Sequence, residues 1–267
     1  MKETDSNRDS WSAIAESQYE KFRSQMAEGR HALNAHIAEE LGDVSGRKLI
    51  HLQCNTGADT LLLSRMGADA TGVDISGANV FYANKLAAEL RMENVRFIES
   101  DIMTLSEVHR NRYDMVFTTE GVLTWLPNLD TWGKTIRSLL RDGGFLYVFD
   151  SHPFFFCFDE RKLDDGIYDI KYPYFGKSPD VSDSLGGYPS EKGQDIKAYS
   201  WTHTVADIIN SLASNGMHID YFHEFTESFF DSGNGVMKAD PQTGLFHYEF
   251  NRDKFPMTFS LKASVYR

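Results

Sequence analysis

The sequence predicts an α/β fold, a doubly wound and mostly parallel sheet flanked by helices, and three observations carry that expectation. Short apolar runs of strand length alternate with segments of helical spacing through most of the 267 residues. Residues 48–76 read in turn as strand, tight loop, helix, turn, second strand and acidic residue. Asp74 and Asp101 then fall at the ends of successive strands, the edge at which open α/β sheets bind their ligands.

Composition narrows the function. Hydrophobic residues make up 41% and charged residues 25%, the balance of an ordinary globular chain long enough for one large domain or one domain with an insertion. A formal net charge of −12, with no cluster of Lys and Arg, argues against nucleic acid as a partner. Cys54 and Cys157 form no paired framework, which suits a reducing cytoplasm, and read as small buried hydrophobes. Residues 1–11 are polar and acidic rather than signal-like, and no apolar run approaches the length of a membrane span, so a cytoplasmic location without a membrane partner is expected. No zinc signature, P-loop or G-x-S-x-G turn occurs, and no metal is expected.

Taken in order, residues 10–41 read as two helices. Ser10 or Ser12 caps the first, which carries Trp11, Ile14, Tyr19 and Phe22, and the second runs from about Gly29 to Leu41. Residues 48–53 are a buried strand, 54–57 the loop, and Asp59 and Thr60 open a helix that Gly67 ends. Residues 70–73 form the second strand, with Asp74 seventeen residues after Gly57, close to the offset of an acid that binds ribose hydroxyls. The loop and helix start offer free N–H groups to an anionic ligand group. A strict dinucleotide fingerprint has three glycines in six residues. Only Gly57 is present here, which counts against a nicotinamide or flavin. The plainer alternative is an ordinary strand-to-helix turn, with Asp74 capping a helix over 76–90.

The stretch HLQCNTGADTLLLSRMGADATGVDIS resembles the first two motifs of the class I S-adenosylmethionine-dependent methyltransferases, in the subgroup with an H-L-Q-C loop. The usual loop of that family is D/E-x-G-x-G-x-G; His51, Gln53 and Asn55 stand at its first three marked places and Gly57 at the last. The resemblance implies a Rossmann-like doubly wound seven-stranded sheet, last strand antiparallel, with N-terminal helices and an aromatic-rich insertion after strand five. It implies S-adenosylmethionine along the carboxyl edge, with S-adenosylhomocysteine as product. His51, Gln53, Asn55 and Gly57 would then shape the loop beside the methionine, and Asp74 with Ile75 would meet the ribose. Asp101 would accept from the adenine amino group, Ile102 would pack on its ring, and Glu120 would stand near the amino-acid end.

The remaining elements follow the same order. A helix over 76–92, a strand over 95–99, a short helix from Thr104 and a strand over 113–119 lead to Glu120. A helix over 130–140, a turn at 141–144 and a strand over 145–149 come next. Residues 151–179 are crowded with aromatics and broken by prolines, and 184–194 read as loop. Thr202 caps a helix over 203–215, a sixth strand covers 217–225, and a final strand covers 257–265. The expected organisation is an N-terminal helical cap (1–45), a core (46–153 and 201–267) and an insertion or substrate cover (154–200).

Tyr19, Trp125 and Phe154 are the candidate contacts to a small-molecule acceptor, each with a plain reading as a hydrophobic anchor. The insertion suits a substrate cover, a small satellite core or the interface of a homodimer. His152, just past the fifth strand, is the histidine best placed to act as general base. The expectation is methyl transfer to O, N or C of a small molecule, for which alignment alone supplies much of the rate. A non-catalytic binder of the same nucleosides, and more remotely a nicotinamide-dependent oxidoreductase, are the rival readings.

Overall fold

The computed structural model describes residues 2–183, 185, 197–231 and 235–266; the loop expected over 184–194 lies outside them apart from Leu185. A seven-stranded sheet organises the chain. Its strands are β1 (Lys48–Leu52), β2 (Asp69–Asp74), β3 (Val95–Glu99), β4 (Tyr113–Thr119), β5 (Leu140–Ser151), then β8 (His218–Phe225) and β11 (Thr258–Ser264). Two short ribbons, β6 (Asp180–Ser182) with β7 (Ala198–Ser200) and β9 (Lys238–Ala239) with β10 (Phe246–His247), lie outside it. The order across the sheet is β3-β2-β1-β4-β5-β11-β8. The pairs from β3 to β5 are parallel, and β11 runs antiparallel to both its neighbours. The order reverses between β1 and β4, so the carboxyl ends of those strands open the crevice where such sheets bind ligands.

Helices cover both faces. They are α1 (Lys2–Ala27), α2 (Ala35–Leu41), α3 (Ala58–Arg65), α4 (Gly77–Glu89), α5 (Leu105–Val108), α6 (Leu129–Leu139), α7 (Glu160–Asp164) and α8 (Val205–Ala213). One core layer packs α6 and α8 on Ile50, Val116, Val148, Phe259 and Leu261; the other packs α2 and α3 on Leu49, Met115, Phe117, Tyr147 and Phe149. The strands alternate between these layers because successive side chains point to opposite faces. Gly133 of α6 meets α8 with no room to spare: a Cβ there would stand 2.3 Å from the backbone oxygen of Ser211. Gly133→Ala is therefore expected to cost about 1–3 kcal/mol of stability, read as a lowered unfolding midpoint in urea.

Several boundaries differ from the sequence expectation, each for a local reason. The first helix begins at Lys2, not after a Ser10 or Ser12 cap: the Ser12 hydroxyl bonds the Arg8 carbonyl inside the helix. Glu3 and Asp5 sit in its first turn, where the helix dipole favours acids. The second helix starts at Ala35 because Asn34, with its side chain on the His36 N–H, is the cap. Thr204 rather than Thr202 caps α8, in a capping box with Asp207. Residues 141–144 do not separate a helix from a strand; α6 passes straight into β5 and they bulge from it, shifting the register with β4 between Tyr113 and Met115. Gly143 at φ 76° makes that bulge possible.

The aromatics after β5 form a satellite core. Phe155, Phe158 and Leu163 pack on Met237, Tyr248, Phe255 and Met257 from the segment between β8 and β11. The insertion expected over 154–200 is therefore shared with a second segment far along the chain. No helix among the described residues is long and apolar enough to cross a membrane, and both cysteines are buried and free.

Candidate functional site

The loop after β1 keeps a glycine-like shape without the glycines. Gln53 and Asn55 adopt φ 55° and 51°, in the left-handed region that costs an ordinary L residue about 1–2 kcal/mol, and Gly57 adopts φ 80°. Gly57 caps α3, and a Cβ on it would come 2.6 Å from the Phe97 ring. The turn is held from outside: Gln53 Nε2 donates to the Val122 carbonyl at 3.0 Å, and the Asn55 N–H donates to Asp74 Oδ2 at 2.8 Å.

Asp74, at the end of β2, also accepts from the Ser76 N–H at 2.9 Å and from Asn79 Nδ2 at 3.1 Å. Burial pushes its carboxyl up to about 6, against the three donors that pull it down. Ser76, not Asp74, caps α4 with its hydroxyl. Ile75 is half-buried beside it. At the end of β3, Asp101 takes the Met103 N–H at 2.9 Å and opens the turn before α5, while Ile102 is buried in the main core with its carbonyl on Thr135. Asp101 thus stands at the edge as expected, whereas the Ile102 side chain is committed to the core.

At the ends of β1 and β4 the groups converge. His51 is 2% exposed, with Nδ1 2.9 Å from the Thr60 hydroxyl, and burial depresses it to about 4, so it is neutral at pH 7. Glu120 accepts from Asn34 Nδ2 at 3.1 Å; burial, then the charge of Asp59 and that of Asp150, lift its carboxyl to about 8. Asp59 itself lies 2.9 Å from His31 Nε2. Asn34 and His31 come from the link between α1 and α2, so the N-terminal segment helps to build this corner.

Asp150, near the end of β5, was not legible as a site residue. Its carboxylate collects four backbone N–H groups, Gly121 and Ser151 at 2.7 Å, Leu123 at 2.8 Å and Val122 at 3.1 Å. It thereby fixes the loop that leaves β4. The one sequence signal was an acid at a strand's carboxyl end, the same signal that marked Asp74.

Helix α1 forms the roof. Ser12 Oγ lies 2.8 Å from Ser76 Oγ, Trp11 meets Trp125 edge-on at 5.5 Å, and Asn7 exchanges two hydrogen bonds with the backbone of Tyr199. Tyr19 anchors α1 on α4: its hydroxyl donates to Glu89 and its ring stacks on Tyr82. Gln18, which the sequence did not single out, is 7% exposed, and its Oε1 is buried without a partner. Phe154 belongs to the satellite core, against Phe158 and Tyr174. His152 is likewise set apart from the convergent corner. Its Nδ1 accepts from the Phe154 N–H, Nε2 lies 3.0 Å from Glu224, and its ring meets Phe259. Burial depresses it to about 4.

Buried polar atoms without partners mark what the crevice is built to receive. They include Gln18 Oε1, His51 Nε2, Gln53 Oε1 and the hydroxyls of Thr56, Thr119 and Ser151. Buried polar groups without protein partners are free to bond water or a polar ligand. Among the described residues no group of His, Cys, Asp and Glu is arranged to hold a metal.

Comparison with known proteins agrees with this geometry. Residues 43–167 match the family model described as a methyltransferase domain. This stretch of the chain is thus similar to a methyltransferase domain, and its fold is that of solved S-adenosylmethionine-dependent methyltransferases. A ubiquinone biosynthesis O-methyltransferase of Acinetobacter baumannii is 23% identical over 111 residues, 42% of this chain and 46% of that protein. The Saccharomyces cerevisiae protein named "Probable S-adenosylmethionine-dependent methyltransferase CRG1" is 31% identical over 133 residues, 49% of this chain and 45% of that one. The matched stretch thus spans about half the length of these relatives. An S-adenosylmethionine-dependent methyltransferase structure from Mesorhizobium loti shares the fold, with a TM-score of 0.57 and 17% identity over 85% of this chain and 95% of that one.

Proposed function

We propose that the chain is an S-adenosylmethionine-dependent methyltransferase acting on a small-molecule acceptor. The observation that carries this reading is the loop after β1, in which Gln53 and Asn55, at the places of the family's first two glycines, hold left-handed geometry. The cofactor supplies a methyl group on a sulfonium, already electrophilic, so the protein has chiefly to bind and align. Gln53, Asn55 and Gly57 would shape the wall beside the methionine. Asp74 keeps a lone pair beyond its three internal bonds for the ribose, and Asp101 keeps one carboxylate oxygen for the adenine. Glu120 would stand at the methionine end, beside the sulfonium. The acceptor would lie under α1, walled by Trp11, Trp125 and residues 198–201, where orientation against the methyl group supplies the rate. His152 is not needed in this scheme.

The test is calorimetric titration with S-adenosylhomocysteine, with NAD as control. Binding of S-adenosylhomocysteine at roughly 100 μM or tighter, about −5.5 kcal/mol, with no heat from NAD, is the expected result. Heat from NAD alone would return the chain to the oxidoreductases.

A further inference from the structure

The end of β4 differs from the rest of the crevice in its charge. Glu120 just after β4, Asp59 at the start of α3 and Asp150 on β5 share this corner, and the charges of the two aspartates raise Glu120. Their hydrogen-bond partners among the described residues are Asn34, His31 and backbone N–H groups, with no Lys or Arg paired to any of the three. Among the buried polar groups around it, Thr119, next to Glu120 and 5% exposed, has a hydroxyl without a protein partner.

An aromatic ring completes the corner. Phe229 packs on Phe149 at 6.3 Å, and its edge stands 3.8 Å from the place a Cβ would take on Gly121, the residue after Glu120. A carboxyl one residue before the glycine that faces this ring, with two further acids nearby and no fixed cation, is complementary to an organic ammonium. A carboxylate or phosphate on the ligand would meet three acids, and a neutral hydroxyl would bring no charge to them.

We propose that Glu120 receives the basic nitrogen of the methyl acceptor, a small organic primary or secondary amine that arrives protonated. This rests on the methyltransferase reading and narrows it to N-methylation. The ammonium N–H bond breaks with its electron pair left on nitrogen, and the proton forms an O–H bond on the Glu120 carboxylate. The nitrogen then has the lone pair that a nucleophile requires. Asn34 is a positioning residue, holding Oε1 and leaving Oε2 for the amine.

The experiment titrates the protein, saturated with S-adenosylhomocysteine, with benzylamine, benzyl alcohol and benzoate, three probes of one shape and different charge. Benzylamine is expected to bind at least tenfold more tightly than either of the others. In the free protein Glu120 is mostly protonated at pH 7, so docking an ammonium against it expels close to one proton. Titration in buffers of different ionisation enthalpy should show that release at pH 7 and its loss by pH 9, where Glu120 is already ionised. Asp59, Asp150, His31 and His51 face the same corner, and Glu120→Gln should abolish the release while Asp59→Asn reduces it only in part. If S-adenosylhomocysteine does not bind, the methyltransferase reading fails. If it binds but benzyl alcohol or benzoate binds as well as benzylamine, or no proton is released at pH 7, the amine proposal alone is overturned.

Discussion

Asp150→Ala is expected to lower folding stability by about 3–5 kcal/mol, the largest effect of any single substitution considered for this chain. Four backbone N–H groups, three of them on the loop after β4, lose their common acceptor in a place that water does not reach. Each buried donor left unmade costs about 1–3 kcal/mol, and the loop relaxes to recover part of the sum. Asp150→Asn should fall between, because one amide oxygen still accepts two of the four bonds while the NH₂ group opposes the others. Urea unfolding of both variants decides the matter. A loss below about 1 kcal/mol for the alanine variant would mean that the loop is held by its packing and not by the carboxylate.

Asp74→Ala is expected to weaken S-adenosylhomocysteine at least a hundredfold, about 2.7 kcal/mol, and to destabilise the free protein by about 2–3 kcal/mol. The two effects share an origin. The carboxylate that would meet the ribose also anchors the Asn55 N–H, and so holds the loop in its strained left-handed turn. Calorimetry on the variant, beside wild type, measures the first effect, and thermal unfolding without ligand measures the second. Wild-type affinity in Asp74→Ala would place the ribose elsewhere along the edge.

β1 and β4 at the centre of the sheet were plain in the sequence because they are buried on both faces and so read as mostly apolar runs bounded by turn residues. The start of α1 was hidden for the opposite reason. Residues 2–10 carry no apolar stripe, and this part of the helix is held by Ser6, Asn7 and Ser10 bonding to the backbone of residues 197–199. Asp74, Asp101 and Glu120 could be named from position alone, as acids past strand ends. The roles of Asp150, Asn34 and His31 could not, since each depends on a partner 27 to 86 residues away. Tyr19 and Phe154 could not be assigned because an aromatic has the same appearance in a sequence whether it anchors a helix or faces a ligand. Here Glu89 and Tyr82 claim the first, and the satellite core claims the second.

The order of strands across the sheet bears on how the molecule is made. β11 lies between β5 and β8, yet it is the latest of the three to leave the ribosome. Until residues 258–264 emerge, β5 offers an open edge and β8 has no neighbour in the sheet to pair with. Such an edge is a template for pairing between nascent chains. Asp150 sits on that waiting strand, opposite Phe259, so the loop bearing Glu120 gains its anchor on a settled support only once residues 258–264 have emerged. A chaperone that shields β5 during those seconds would raise the yield of active protein without touching the crevice.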